Sequence, residues 1–204
     1  MDVLTLEVFK QMINRAYTEV QAQETHFSAL DAIAGDGDHG TAITEALAAV
    51  NDSAREGTEF NQMLTQMAMN AMTRSCGSTS TLIGGFFLGM GTAAKGVQLN
   101  VPQVKAMFRA GLASMQQNTQ AKPGDKTLMD ALVPAVTAME AAEGDIKALF
   151  KAGAEAAANG AAATVEMQAA FGRARNLGER SIGHADPGAS SWACMFGAFY
   201  NAIN

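Results

Sequence analysis

Apolar residues return at spacings of three and four along most of this chain. Leu6, Phe9, Ile13, Ala16, Tyr17 and Val20 trace one face of a helix predicted over about 5–23. The same period predicts helices over about 39–57, 60–74, 78–95, 102–117, 126–142 and 145–167, and an eighth from Pro187 to near Ile203. Met63, Met67 and Met72 lie on the apolar side of the third and read as core. Pro102 suits the first turn of its helix, whereas Pro134 falls inside another and predicts a kink. No segment alternates apolar and polar residues for long enough to predict a strand. Eight helices with short links predict an all-α bundle or barrel, a single domain over 1–204. Small residues in the helices over 78–95 and 145–167, including Gly153 and Gly160, and in the last helix, allow helix axes to approach closely. One link breaks the pattern. Gln168 to Pro187 is long and poor in apolar residues, and long links of this kind carry function or are disordered.

Composition supports this picture. Four prolines in 204 residues leave helices uninterrupted, and 48% hydrophobic with 17% charged residues is too apolar for a disordered chain. The net charge of −6 and the lack of a basic patch argue against a nucleic-acid partner. Met1 to Glu7 has neither a basic nor an apolar leader region, and no apolar run reaches the ~18 residues of a membrane span. Cys76 and Cys194 make neither a disulfide framework nor a zinc site, and an inert thiol is the default for Cys76. A cytoplasmic protein is expected.

The strongest local signal is Asp31-Ala32-Ile33-Ala34-Gly35-Asp36-Gly37-Asp38-His39-Gly40. Gly35-x-Gly37-x-x-Gly40 matches the dinucleotide fingerprint in form, but no strand precedes it and carboxylates stand in the loop. Bare carboxylates repel phosphate. With Mg²⁺ between they bind it, because hard cations take oxygen ligands and bridge carboxylates to phosphates. Asp31, Asp36 and Asp38 therefore read as a divalent-metal cluster at the N-terminus of the second helix, whose amides and dipole favour an anion. The competing reading makes Asp38 a plain N-cap and Asp36-Gly37 a turn. An EF-hand fails: Gly40 and Leu47 stand where acids are needed.

Three other loops open helices. Arg74 to Thr81 is a run of small hydroxyl residues that can cap a helix, cradle a phosphate, or both. Pro123-Gly124-Asp125-Lys126-Thr127 fails the Walker pattern, since Asp125 separates glycine from lysine, and reads as a turn before a capped helix. The long link carries Arg173, Arg175 and Arg180, which can pair with phosphates or with local acids, and ends in the turn Asp186-Pro187-Gly188.

Taken together, Asp31-x4-Asp36-Gly37-Asp38-His39-Gly40, Gly124-Asp125-Lys126-Thr127 and Gly178-Glu179-Arg180-Ser181-Ile182-Gly183-His184-x-Asp186-Pro187-Gly188-Ala189 resemble the nucleotide-binding L subunits of dihydroxyacetone kinases over nearly the whole chain. The resemblance implies a barrel of eight antiparallel amphipathic helices with ADP or ATP at one end. It implies that Asp31, Asp36 and Asp38 bind two Mg²⁺ ions, with His39, Gly40 and Thr41 near the phosphates and Ser78 and Thr79 beside them. Arg173 and Asp186, Pro187 and Gly188 would close over the nucleotide, and Thr119 and Leu128 would lie near base or ribose. The run from Arg74 to Thr81 departs from the family's glycine-richer segment.

By the same resemblance, a separate K subunit holds dihydroxyacetone, or a similar short ketose such as erythrulose, covalently on a histidine. This chain would supply the phosphoryl group. In one branch of the family ADP stays bound and is rephosphorylated by a phosphotransferase-system M subunit; in the other, ATP exchanges at each turnover. A chain with no K domain favours the first. A homodimer is compatible with the sequence, and the alternatives are a lipid-binding helical module, with lipid inside the barrel, or a regulatory one.

Overall fold

Capping residues set several of the helix starts. In a computed structural model of the protein, which describes residues 1–74 and 77–203, Thr5 accepts from the Val8 amide, Asp145 from Ala148 and Asp186 from Ala189. Asn100 and Gln103 form a reciprocal capping box. The elements are β1 (Val3–Thr5), α1 (Leu6–Ala22), α2 (Glu24–Asp31), α3 (His39–Glu56), α4 (Phe60–Arg74), α5 (Ser78–Ala93), β2 (Gln98–Asn100), α6 (Val101–Gln116), α7 (Met129–Ala141), α8 (Ile146–Ala163) and α9 (Pro187–Asn201). The long link adds 3-10 turns at Thr164–Glu166 and Arg173–Ser181.

The protein is predominantly helical. Along the chain α1 packs on α3, and each helix from α3 onward packs on its successor, until α9 returns to α1 and the series of contacts closes on itself. Within it lies one apolar core. Phe86 meets Trp192 at 5.0 Å between ring centroids, and Phe108 meets Phe150, Phe196 and Phe199 at 5.4, 5.9 and 6.4 Å, mostly edge to face. Met63 and Met67 are buried in this core, as their spacing predicts.

Three departures from the sequence reading have local causes. The helix α2 was not foreseen, because it buries only Phe27 and Asp31 along eight residues and shows almost no apolar period. It lies outside the closed series, against α3 and α9. The strands β1 and β2 pair antiparallel, Val3 opposite Asn100, and each buries one residue, Leu4 or Leu99, too few to reveal an alternation. The helix predicted from 126 starts at Met129, since Lys126 adopts φ 60, and the one predicted to 167 gives way to a 3-10 turn after Ala163.

Pro134 does lie inside α7. Having no N–H, it leaves the Asp130 carbonyl, four residues back, without its helical donor. Gly160 of α8 packs against that carbonyl so closely that a methyl group there would collide with it. Among the described residues no helix is long and apolar enough to cross a membrane.

Candidate functional site

Asp31 ends α2 and is only 9% exposed, and the chain then turns back so that the amides of Gly37 and Asp38 both donate to Asp31 Oδ2, at 3.0 and 3.1 Å. Gly35 sits under the same carboxylate, where any side chain would strike it. This internal clamp brings one carboxylate oxygen of each of Asp31, Asp36 and Asp38 to within 4.8 Å of the others. Asp38 occupies the N-cap position of α3, yet its side chain makes no capping hydrogen bond. The plain N-cap reading therefore fails, and the carboxylate faces the cluster instead.

Arg173, from the long link, reaches this cluster. Its Nη1 lies 2.5 Å from Asp36 Oδ2 and its Nη2 3.8 Å from Asp38 Oδ1. The guanidinium hydrogen bond holds the Asp36 carboxyl down at about 2, while Asp38, hydrogen-bonded to the Asp36 carboxyl and repelled by its charge, is raised above the ordinary carboxylate range. Three acids gathered around one guanidinium form a site for positive charge. Oxygens bound to a single Mg²⁺ at ~2.1 Å lie up to ~4.2 Å apart, so three oxygens within 4.8 Å of one another are close to the spacing that a divalent ion needs.

The cluster stands at the mouth of a cleft of about 920 Å³. Its wall contains the starts of four helices: Asp38 and His39 of α3, Gly77 to Thr79 of α5, Leu128 and Met129 of α7, and Asp186 to Gly188 of α9. Gln116, at the opposite end of α6, lines it too, so α6 runs counter to those four. The amides that begin α7 are taken by Thr127 and Leu128 and that of Ala189 by Asp186, but each helix start still carries roughly half a positive charge, so the four favour an anion beside the metal-binding acids. Leu82, Leu128, Met129, Phe171 and Trp192 give the cleft an apolar wall, with Asn118 and Thr119 at its polar edge.

Burial tunes two groups here. The His39 ring is lowered by desolvation and lies 2.9 Å from Ser191 Oγ, which itself donates to the Gly188 carbonyl, so Ser191 joins the starts of α3 and α9. Asp186 caps α9 through the Ala189 amide at 2.7 Å, and its desolvation pushes the carboxyl up to about 7.

Among the residues singled out from the sequence, Asp31, Asp38, His39, Ser78, Thr79, Thr119, Leu128, Arg173, Asp186, Pro187 and Gly188 line this one cleft, and Asp36 joins through Arg173. Gly40 is buried in the first turn of α3 against the Glu24 carbonyl, and the Thr41 hydroxyl donates to Glu24 Oε1 at 3.0 Å, so neither lines the cleft. Cys76 and Ser75 lie outside the described residues.

The sequence reading missed Lys126 and Asp130. Lys126, 4% exposed, places Nζ within 3.0 Å of the carbonyls of Thr164, Met167, Ser181 and His184. Asp130, 3% exposed, accepts from the amides of Gly124 and Thr127 at 2.6 and 2.7 Å and holds the turn that carries the lysine. Lys126 stands in the motif Gly124-Asp125-Lys126-Thr127, which reads as a turn before a capped helix and as part of the family resemblance but gives the lysine no role, and Asp130 has no signal of its own. The cleft's single tryptophan and Phe171 gave no signal apart from core residues.

The family model described as the DAK2 domain matches residues 33–201. The ADP-binding subunit DhaL of PEP-dependent dihydroxyacetone kinase 2 from Listeria innocua is 32% identical over 86% of this chain and 85% of its own length. The corresponding Escherichia coli subunit, also named DhaL, is 32% identical over 83% of each chain. The crystal structure of the dihydroxyacetone kinase from C. freundii in complex with AMP-PNP and Mg²⁺ superposes with a TM-score of 0.73 and 25% identity, over 98% of this chain and 34% of that longer one. Since this family model matches most of the chain, from residue 33 to residue 201, the chain belongs to the DAK2 domain family.

Proposed function

We propose that the protein is the nucleotide-binding subunit of a dihydroxyacetone kinase. The observation that carries this reading is the three-carboxylate cluster at the mouth of a cleft onto which four helix N-termini open. In this reading Asp31, Asp36 and Asp38 hold Mg²⁺, two ions in all. The bound metal would neutralise phosphate charge that the bare carboxylates repel. The amides that begin α3, α5 and α9, with Ser78, Thr79 and the turn Asp186 to Gly188, bind phosphate oxygens of ADP or ATP. Leu128, Thr119 and the apolar wall take base and ribose. Arg173, already beside Asp36, closes the link over the nucleotide. The chain needs no general base, because phosphoryl transfer rests on positioning and on charge stabilisation.

The closed series of helix contacts supports the eight-helix barrel, with α2 an addition on its outside. The acceptor, dihydroxyacetone or a similar short ketose, would be held on a histidine of a separate K subunit in the cytoplasm. The names of the Listeria and E. coli relatives favour the branch in which bound ADP is rephosphorylated by a phosphotransferase-system M subunit. A homodimer is compatible with this reading.

Two experiments test it. Asp36→Ala is expected to abolish Mg-nucleotide binding in calorimetry while leaving the helical circular-dichroism signal; unchanged affinity would sink the metal assignment. In reconstitution with a K subunit, dihydroxyacetone phosphate should form when phosphoenolpyruvate and the phosphotransferase-system proteins are present. Equal turnover with ATP alone would assign the chain to the ATP-exchanging branch. Recovery of lipid and no nucleotide from the purified protein would replace the kinase reading with the carrier.

A further inference from the structure

The segment from Thr164 to Asp186 carries both Arg173 and the turn that begins α9, yet it buries few apolar side chains of its own; Ala169 is one. Its internal fasteners are sparse. The Gly183 amide donates to the Val165 carbonyl at 2.8 Å, Ala169 to Ser181 Oγ at 2.9 Å, and Asp186 to Thr164 Oγ1 at 2.9 Å. Against this stands one buried ammonium. Lys126 Nζ donates to the carbonyls of Thr164, Ser181 and His184 at 2.7 Å and of Met167 at 3.0 Å.

We propose that Lys126 is the positioning residue of the site, an ammonium pin that sets Arg173, the Asp186–Gly188 turn and the Thr127–Leu128 wall in one register. The proposal rests on the nucleotide-binding reading for its consequence, though not for the pin itself. The arc from Gln168 to Arg180, with Arg173 in it, stands between two of the pinned carbonyls, Met167 and Ser181. A third, His184, lies two residues before Asp186. Lys126 is followed directly by Thr127 and Leu128, which line the cleft. One atom thus ties both ends of the arc to the opposite wall.

An ammonium has three protons, and four carbonyls already share them, so none is left for a phosphate. Lys126 therefore acts through the link and not on the nucleotide, unlike the lysine of a phosphate loop. Its backbone at φ 60 lies in a region that non-glycine residues seldom adopt, and the surroundings hold it there. The Asp130 carboxylate grips the amides on both sides of it, and the Asp125 carbonyl accepts from Ala170 of the link at 3.2 Å.

The test is Lys126→Met, which keeps the apolar stem and removes every donor. Hydrogen exchange by mass spectrometry on the variant is expected to quicken by about tenfold or more in residues 164–184, with α5 and α9 protected as in the wild type. Mg-ADP affinity should fall by about tenfold. Unchanged exchange in 164–184, or an equal increase throughout the chain, would overturn the pin. Faster exchange in the link with unchanged Mg-ADP affinity would overturn the positioning role. If the wild type binds no Mg-ADP, the nucleotide reading fails while the exchange pattern still decides the pin. Should Lys126→Met not fold, amine labelling of the wild-type protein decides: Lys126 is expected to react far more slowly than Lys10, Lys95 and Lys147, and equal reactivity would overturn the proposal.

Discussion

Two loops meet at the Asp36–Arg173 ion pair, and they are held in opposite ways. The acid loop is folded by its own residues: Asp31 Oδ2 takes the amides of Gly37 and Asp38, six and seven residues further on, which fixes the buried carboxylate from within the loop. The link that brings Arg173 is held from outside, by a lysine whose four carbonyl partners lie 38 to 58 residues away in sequence. The difference suits their roles in the proposed site. A metal set has to be preorganised before any ligand arrives, whereas a cover that must admit a nucleotide gains from an anchor at its base and an exposed ion pair at its tip. Arg173 and Asp36 are each more than half exposed, so their pairing contributes little stability and can exchange partners readily.

After the loss of binding expected for Asp36→Ala, the largest effect is expected at the clamp. Asp31→Ala removes a carboxylate and releases two amides, so Mg-ADP affinity should drop by at least ~100-fold, about 3 kcal/mol, in calorimetry. A loss no greater than that of Asp38→Ala would break the comparison, because it would show that the loop does not depend on its clamp. Asp38→Ala should weaken Mg-ADP by about tenfold and leave the melting temperature within ~2 °C, since its side chain caps nothing. A fall of several degrees would restore the N-cap reading. Arg173→Ala should leave the melting temperature unchanged, raise the nucleotide dissociation rate by roughly threefold in stopped flow, and let the Asp36 carboxyl return toward its ordinary value.

A further expectation concerns the pH dependence of stability, not nucleotide affinity. Burial holds the Asp186 carboxyl at about 7 against an ordinary 3.8, so between these values the folded chain keeps a proton that the unfolded chain releases. This group's contribution to stability is therefore greatest at the acid end and declines as the pH rises to about 7, with no further change above. Asp186→Asn keeps a good N-cap and removes the titration. Its urea midpoint relative to the wild type should rise across that window and then level off; a constant difference would show that Asp186 does not carry the proton.

What was legible in the sequence follows the same division. The acid loop could be read because ligands, turn glycines and helix start lie within ten residues, and the long amphipathic helices could be read because each repeats its period several times. Lys126 could not, since its partners are backbone carbonyls, which have no letter in the sequence, on a segment that approaches it only in the folded chain. Nor could α2, where two buried residues in eight give no period to detect. Pro134 and Gly160 show a third limit: each reads alone as a helix defect, and only the close approach of Gly160 to the Asp130 carbonyl that Pro134 leaves without a donor explains both.

The central claim is that an acidic chain binds nucleotide through its metals. Calorimetric titration of the purified protein with ADP, in Mg²⁺ and then in excess EDTA, tests it most directly. The expected result is saturable binding of one ADP per chain in Mg²⁺, weakened at least ~100-fold in EDTA. Equal affinity in the two buffers, or no binding in either, would contradict it.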